Sequence, residues 1–523
     1  MKYLLLIGAL LLSLGFAQDR STTLVFGGDF SDLITLDPGQ SYEFSGTLVL
    51  DNIYERLVRF EGTDLSEVKP GLAESWTVAA EGDGNKITFI LRDATFSSGN
   101  PVTAADVVYS LERVIKNAEA GILSMPSSFL LTDVAKLAVG SVVAVDDKTV
   151  DMILPADVNP NIVLNLLTFN IGGIVDSQTL TENEVDGDFG NAYLQDNSAG
   201  SGPYMLERWD RDAQVILVAN PNNTAEKSIQ RVLLRYMQES SVQQAAVQSG
   251  EIDVSYNPTP EFFNSVLEDP AYQALKTDNF SIQYLGMNSG EGAPFADNRV
   301  RDAVRYAVDQ DAIINDLLSG LGVKTQTIIP SGLLGFDDTV YFEHDPEQAR
   351  ALLAEAGAEG LSFEFLVSDG ACGGGVPCGD LAAKIQSDLE AVGLVAEIRV
   401  LPQSELLPIY RAQEAQMVLV SWSPDYPDPD GNATPLGDFN AESLAWRNVW
   451  QNETASQLAK DASLELDNAR REELYGQLTE LVAREGPYMI LYQPNVPLVI
   501  RAEVQGLARS AQGDIEFDKI SKE

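Results

Sequence analysis

Apolar residues along this chain recur with two periods, an alternation that reads as strand and a three-to-four spacing that reads as helix. Lys86-Ile87-Thr88-Phe89-Ile90-Leu91-Arg92 alternates and predicts a strand. The Gly- and Pro-containing stretch Asp93–Val102 predicts a turn after it. Thr103 then serves as N-cap of a helix, with the Asp106 carboxylate over the first turn and Val107, Tyr109, Leu111, Val114 and Ile115 on its apolar face. Gly202-Pro203 forces a turn into the strand Tyr204-Met205-Leu206. Gly250 ends a helix that carries Ala245, Ala246 and Val247, and Ile252-Asp253-Val254 returns as a strand. Val300, Val304, Ala307 and Val308 bury one helix face, which leaves Arg299, Arg301 and Arg305 solvated as surface salt-bridge partners.

Farther along, the pattern becomes βαβ. Asp345 caps a helix with Pro346 at its first position and Gly357 at its end. Leu361, Phe363, Phe365 and Val367 alternate as a strand, a helix runs from about Asp380 to Val392, and Val395–Val400 forms the next strand. This spacing argues for a parallel, helix-covered sheet. A last buried strand, Met417–Val420, runs into Ser421-Trp422-Ser423-Pro424-Asp425-Tyr426-Pro427-Asp428-Pro429-Asp430. Its prolines forbid helix and ladder, so two aromatic rings and three carboxylates sit on a stiff loop at a strand end. Such loops meet ligands in α/β proteins, although a plain surface turn fits the same residues.

Composition narrows the function. Lys2, the apolar run Tyr3–Phe16 and the small-residue site at Ala17 describe a secretory signal peptide over residues 1–17. No Cys follows it, so no lipid anchor is expected and the location is extracytoplasmic, in the periplasm. About 500 remaining residues exceed one core and predict two or three domains. The net charge of −44 argues against nucleic acid and anionic membrane as partners; it suits solubility, as in a saline habitat, or steering of cationic ligands. Cys372 and Cys378 suggest a local disulfide worth about 2 kcal/mol in the chain-entropy model. His344 is the single histidine and sits beside a helix start, no phosphate loop or nucleophile elbow occurs, and no soft-ligand set for a metal exists. No cofactor, no metal and no enzymatic activity are therefore expected. Asp428 and Asp430 fit a calcium loop poorly, because Tyr426 stands at the preceding ligand position.

Several segments carry a resemblance. Pro70-Gly71-Leu72-Ala73-Glu74-Ser75-Trp76, Ile87–Val114, Gly200-Ser201-Gly202-Pro203-Tyr204, Ser249–Asp253, Met287-Asn288, Pro294-Phe295 and Asn298–Asp309 follow one another in register. Together they resemble the dipeptide/oligopeptide-binding proteins of ABC importers, extracytoplasmic solute-binding protein family 5. The resemblance implies an α/β, two-lobed periplasmic-binding-protein fold, type II-like in its large three-domain variant, with a hinge and an inter-lobe ligand cleft. Lobe I would comprise 19–52, 188–281 and 500–523, the extra domain 53–187, and the second lobe 282–499. The implied function is a monomeric receptor that captures peptides and delivers them to an ABC permease. Alternatives are a non-peptide solute such as an oligosaccharide, and, in another class, a secreted hydrolase or acidic surface protein.

In such receptors the peptide lies as an added strand between the lobes. The implied ligand-binding residues are Gly27, Gly28, Asp29 and Phe30 on the first lobe and Ser421, Trp422, Ser423 and Asp425 on the second, with Asp425 holding the ligand's α-ammonium. Asp425→Ala would then abolish or greatly weaken peptide binding and leave the ligand-free melting temperature nearly unchanged. Dipeptide-specific members carry an Arg for the ligand carboxylate in the segment that here reads Ser368–Cys378, which has no basic residue. Longer peptides and other amines thus stay open.

Overall fold

A computed structural model describes residues 20–121 and 125–523. The expected signal peptide lies outside the described residues.

One mixed sheet of twelve strands runs through most of the molecule. At one end, Ser362–Ser368 lies parallel to both Val395–Leu401 and Met417–Trp422, and the helices Pro346–Ala356 and Cys378–Ala391 belong to the same unit. At the other end, Thr23–Gly28 is parallel to Arg231–Tyr236, followed by the antiparallel Gln214–Ala219 and Tyr204–Asp210. The strand Tyr488–Arg501 joins the two ends. Its first residues pair with Ile282–Met287, and its later ones pair with Tyr272–Asp278 and Val254–Ser255. Pro494 and Pro497 fall near the changeover, where neither can donate to a ladder. The apolar cores follow this division, with Leu285, Phe365 and Leu419 packed in one cluster and Leu24, Leu217 and Ile500 in another.

A smaller body hangs beside this sheet. Ala73–Glu81, Gly84–Leu91, Thr149–Leu154 and Val142–Ala144 form an antiparallel sheet over the helix Ala104–Ala120. The Thr103 backbone N–H donates to Asp106 Oδ2 at 2.9 Å, as the capping pattern predicts. This helix also reaches outside its own unit. Buried Arg113 donates to both oxygens of Asp37, at 2.8 and 2.6 Å, and Asn191 donates to one of them at 2.8 Å. Burial raises the Asp37 carboxyl, but Arg113 and these hydrogen bonds outweigh it and hold the group below the usual carboxylate range. The pair fixes the segment that follows Asp37, which supplies part of the site.

Two arginines differ from expectation. Arg299 is exposed, but Arg301 and Arg305 are only 5% and 4% exposed. Arg301 donates to the carbonyls of Phe295 and Glu485, each at 2.8 Å, and Arg305 to Asp302 at 2.5 Å and the Tyr488 carbonyl at 3.1 Å. The helix Asn468–Glu485 ends against them, and its last carbonyls lack partners within the helix. Guanidinium groups satisfy these acceptors and complement the negative helix end, so burial is favoured over solvation.

Candidate functional site

The strand Met417–Trp422 is flanked unequally. On one side every residue pairs with Ile282–Met287, from Met417 against Met287 to Trp422 against Ile282. On the other side pairing with Ser362–Ser368 stops at Leu419. Among the described residues, Val420–Trp422 therefore keep one edge without a strand partner. The loop that follows is locked from within. The Trp422 indole N–H donates to the Gly431 carbonyl at 2.9 Å. A β-carbon at Gly431 would come within 2.8 Å of Pro424 Cβ, so only glycine fits there. Tyr426 is buried in the core of the smaller body and donates to Asp430 at 2.7 Å.

Asp428, fully buried, takes both arms of the Arg471 guanidinium at 2.9 and 2.6 Å and a third bond from Asn165 at 2.9 Å. Asp430 also accepts from Thr434 at 2.6 Å. Both carboxylates thus hold the loop in place, and the weak calcium pattern is accounted for by protein donors.

Asp425 is the third carboxylate of the loop and behaves differently. It lines a cavity of about 330 Å³ together with Tyr42, Phe169, Phe280 and Pro424, residues drawn from both parts of the large sheet and from the smaller body. The Tyr42 hydroxyl donates to it. Burial pushes its carboxyl up to about 6, and among the described residues no cation offsets that cost. Glu43 shares the cavity and is also raised, first by burial and then by Asp32. A half-buried carboxylate among aromatic rings, with no cation partner among the described residues, is chemically able to take a cationic group from outside.

A cavity of similar volume, about 320 Å³, is lined by Asp51, Glu55, Arg56, Arg59 and Arg92. There the charges neutralise one another, as Arg56 pairs with Asp51, Arg59 with Glu516 and Arg92 with Glu55. It offers an incoming ligand less than the Asp425 cavity does.

The expected site residues separate into three groups. Ser423 and Asp425 line the larger cavity. Ser421 and Trp422 line an adjoining cavity of about 90 Å³, whose wall includes Cys372 and Cys378. These cysteines form the expected disulfide, with Cα atoms 5.0 Å apart.

Gly27, Gly28, Asp29 and Phe30, expected on the first-lobe side, line neither of these cavities. The Gly27 and Gly28 carbonyls already accept from Tyr256 and Met237, at 2.9 and 2.8 Å, so this strand end offers no free ladder. A β-carbon at Gly27 would lie 2.6 Å from Ile252 Cδ1, so close internal packing accounts for that glycine. Phe30 is fully buried, and Asp29 is exposed with its carboxylate on the Ser31 N–H at 3.1 Å. Tyr42, Phe169 and Phe280 line the Asp425 cavity, and no motif in the sequence marks them.

A family model for bacterial extracellular solute-binding proteins, family 5, middle region, matches residues 67–442. The chain belongs to this family. It is a family of solute-binding receptors rather than enzymes. This solute-binding protein is 27% identical over 487 residues to the probable D,D-dipeptide-binding periplasmic protein DdpA of Escherichia coli (strain K12), with 92% of this chain and 90% of the relative covered. It is 30% identical over 484 residues to di/tripeptide-binding protein 4 of Pseudomonas aeruginosa (strain UCBPP-PA14), with 89% of each chain covered. Among solved structures, HbpA2 from Haemophilus parasuis superimposes with a TM-score of 0.86 at 24% identity, covering 96% of this chain and 100% of that one. At that identity the likeness is one of fold.

Proposed function

We propose that this protein is a periplasmic receptor for short peptides with a free α-ammonium, and that it passes them to the membrane subunits of an ABC importer. The observation that carries the reading is Asp425, a desolvated carboxylate without a cation in a cavity shaped by both parts of the large sheet and the smaller body. A peptide ammonium would supply the missing charge through a charge-assisted hydrogen bond of about 1.5–3 kcal/mol. The open edge at Val420–Trp422 would take the peptide backbone as an added strand. Relatives named for dipeptides and tripeptides support the same class of ligand. In this proposal the lobes keep the divisions 19–52 with 188–281 and 500–523, 53–187, and 282–499, and the receptor acts as a monomer after loss of residues 1–17.

Calorimetry with a pool of random tripeptides tests the reading. Wild-type protein is expected to bind free-amine peptides and to lose at least tenfold in affinity when the pool is N-acetylated. Asp425→Ala is expected to remove that difference. Equal binding of free and acetylated pools by wild type would refute the amine anchor.

A further inference from the structure

Pairing between Ser362–Ser368 and Met417–Trp422 ends at Val367 against Leu419. A parallel neighbour that ran on would cover Val420–Trp422 next. Instead the chain leaves the ladder after Ser368, turns through Cys372-Gly373-Gly374-Gly375-Val376-Pro377-Cys378, and enters the helix Cys378–Ala391. Ser368, Ala371, Cys372 and Cys378 line the cavity of about 90 Å³ together with Val420, Ser421 and Trp422. The disulfide-closed loop thus stands beside the edge that a continued strand would have paired.

Three consecutive glycines give this loop little conformational preference of its own, and two of them, Gly374 and Gly375, sit at φ +84° and +78°. The disulfide closes the turn on itself, with the Cys372 N–H donating to the Val376 carbonyl at 2.8 Å and the Gly375 N–H to the Cys372 carbonyl at 3.0 Å. These bonds set the shape of the loop. Its place against the sheet is set at Gly373, whose N–H donates to Gln283 Oε1 at 3.0 Å and whose carbonyl accepts from the Tyr492 hydroxyl at 2.8 Å. Tyr492 is the ladder partner of Gln283 on one side, and Ser421 is its partner on the other. Gln283 is only 1% exposed, and its Nε2 donates to the Val420 carbonyl at 2.9 Å. Gly373 offers an N–H and Val420 a carbonyl, so one orientation of the amide satisfies both. A single buried side chain therefore ties the loop to the strand whose edge stays open.

We infer that Gln283 is a positioning residue for ligand binding: through Gly373 it sets the disulfide-closed loop against the Val420–Trp422 edge, and the bound peptide's backbone is held in the gap between them. The role rests on the peptide reading and adds to it a requirement that the disulfide be closed. With Cys372 and Cys378 apart, the glycines gain conformations, and Gln283 holds one N–H of a segment that no longer has a single shape. A ligand backbone must then order the loop as it binds, which lowers its affinity.

The test is calorimetry on the mature chain with the random tripeptide pool, in wild type and Gln283→Met, each with the disulfide closed and after treatment with dithiothreitol. The reagent delivers two electrons and two protons, so the S–S bond becomes two thiols, counted by titration, and dithiothreitol closes to its cyclic disulfide. Opening the disulfide in wild type is expected to lower affinity about tenfold, and Gln283→Met to do the same with the disulfide closed. Because both act on the position of one loop, the two together are expected to lose little more than either alone. N-acetylation of the pool is expected to weaken binding by the same factor in every sample, since the amine end lies at Asp425; a general loss of structure would not keep that factor. Gln283→Glu, which keeps the acceptor for Gly373, is expected to retain more affinity than Gln283→Met, and it replaces the Met variant in the comparison if that protein does not fold. Wild type that binds equally well with the disulfide open, a Gln283→Met protein that binds as wild type does, or losses that multiply would each overturn the role of Gln283 and leave the amine anchor standing. Failure of disulfide-closed wild type to bind the pool refutes the peptide reading, and this inference with it.

Discussion

Replacing Asp425 by Asn removes a charge that the ligand-free protein holds at a cost. The carboxyl is raised from 3.8 to about 6 by burial, a shift of about two units. At about 1.4 kcal/mol per unit this corresponds to about 3 kcal/mol between the protonated and ionised forms. The Tyr42 hydroxyl donates to the same carboxylate and works against the rise, so the figure is an upper bound. The sign follows from proton binding. The folded protein holds the Asp425 proton more tightly than the unfolded chain, so the penalty is absent below about pH 4 and complete above about pH 6. Asn mimics the protonated form and can still accept from Tyr42. The variant is therefore expected to match wild type at pH 4 and to exceed it at pH 7.

The unfolding entropy of about 2.1 cal/mol/K per residue gives about 1 kcal/mol/K for a chain of roughly 500 residues, so the gain reads as about 3 °C in melting temperature. Scanning calorimetry of both proteins without ligand, from pH 4 to pH 7.5, measures it. A variant that melts below wild type at pH 7, or a difference that does not change with pH, would refute the argument.

Three further outcomes follow from the same structure. Affinity for free-amine peptides is expected to fall about tenfold between pH 7 and pH 5, because an Asp425 carboxyl at about 6 is only about one-tenth ionised at pH 5; N-acetylated peptides in calorimetry should show no such fall. Arg471→Met leaves the buried Asp428 without its cation and should destabilise the protein by about 3–5 kcal/mol, read by thermal melting, with Asp428→Asn in the same chain restoring part of the loss. Arg301→Met strands the carbonyls of Phe295 and Glu485 and should cost about 1–3 kcal/mol per stranded group at most; Arg301→Lys, which lacks the fork, should not recover the full melting temperature.

If Asp425 anchors the ligand as proposed, its cavity also gives a strongly acidic protein a way to be selective. Most of its surface carboxylates sit in water, where screening makes them cheap and weak. Asp425 is half-buried and shares its cavity with aromatic rings, so a cation gains more by reaching it than by reaching the open surface. In the proposed reading the surface charge attracts cations generally, and the half-buried Asp425 carboxylate decides which of them stay.

Local order was legible in the sequence because hydrophobic period and cap chemistry act over a few residues. Thr103 with Asp106, Asp345 with Pro346, and the left-handed glycines at 250 and 357 set helix boundaries where the pattern placed them. The Pro-rich loop could be marked as a rigid strand end for the same reason, and Asp425 within it as a candidate anchor. Which partners those elements meet was not legible. Tyr42 lies 383 residues from the carboxylate it touches, and the carbonyls that bury Arg301 lie 184 and 185 residues along the chain. The glycines at 27 and 28 looked like a place for a ligand backbone, but Ile252 and Tyr256 fill the space beside them. A local pattern says which face of an element turns inward; it does not say what fills the other side. That was decided by the tertiary structure, because the desolvation of Asp425 exists only once the large sheet, the smaller body and the loop have packed around it.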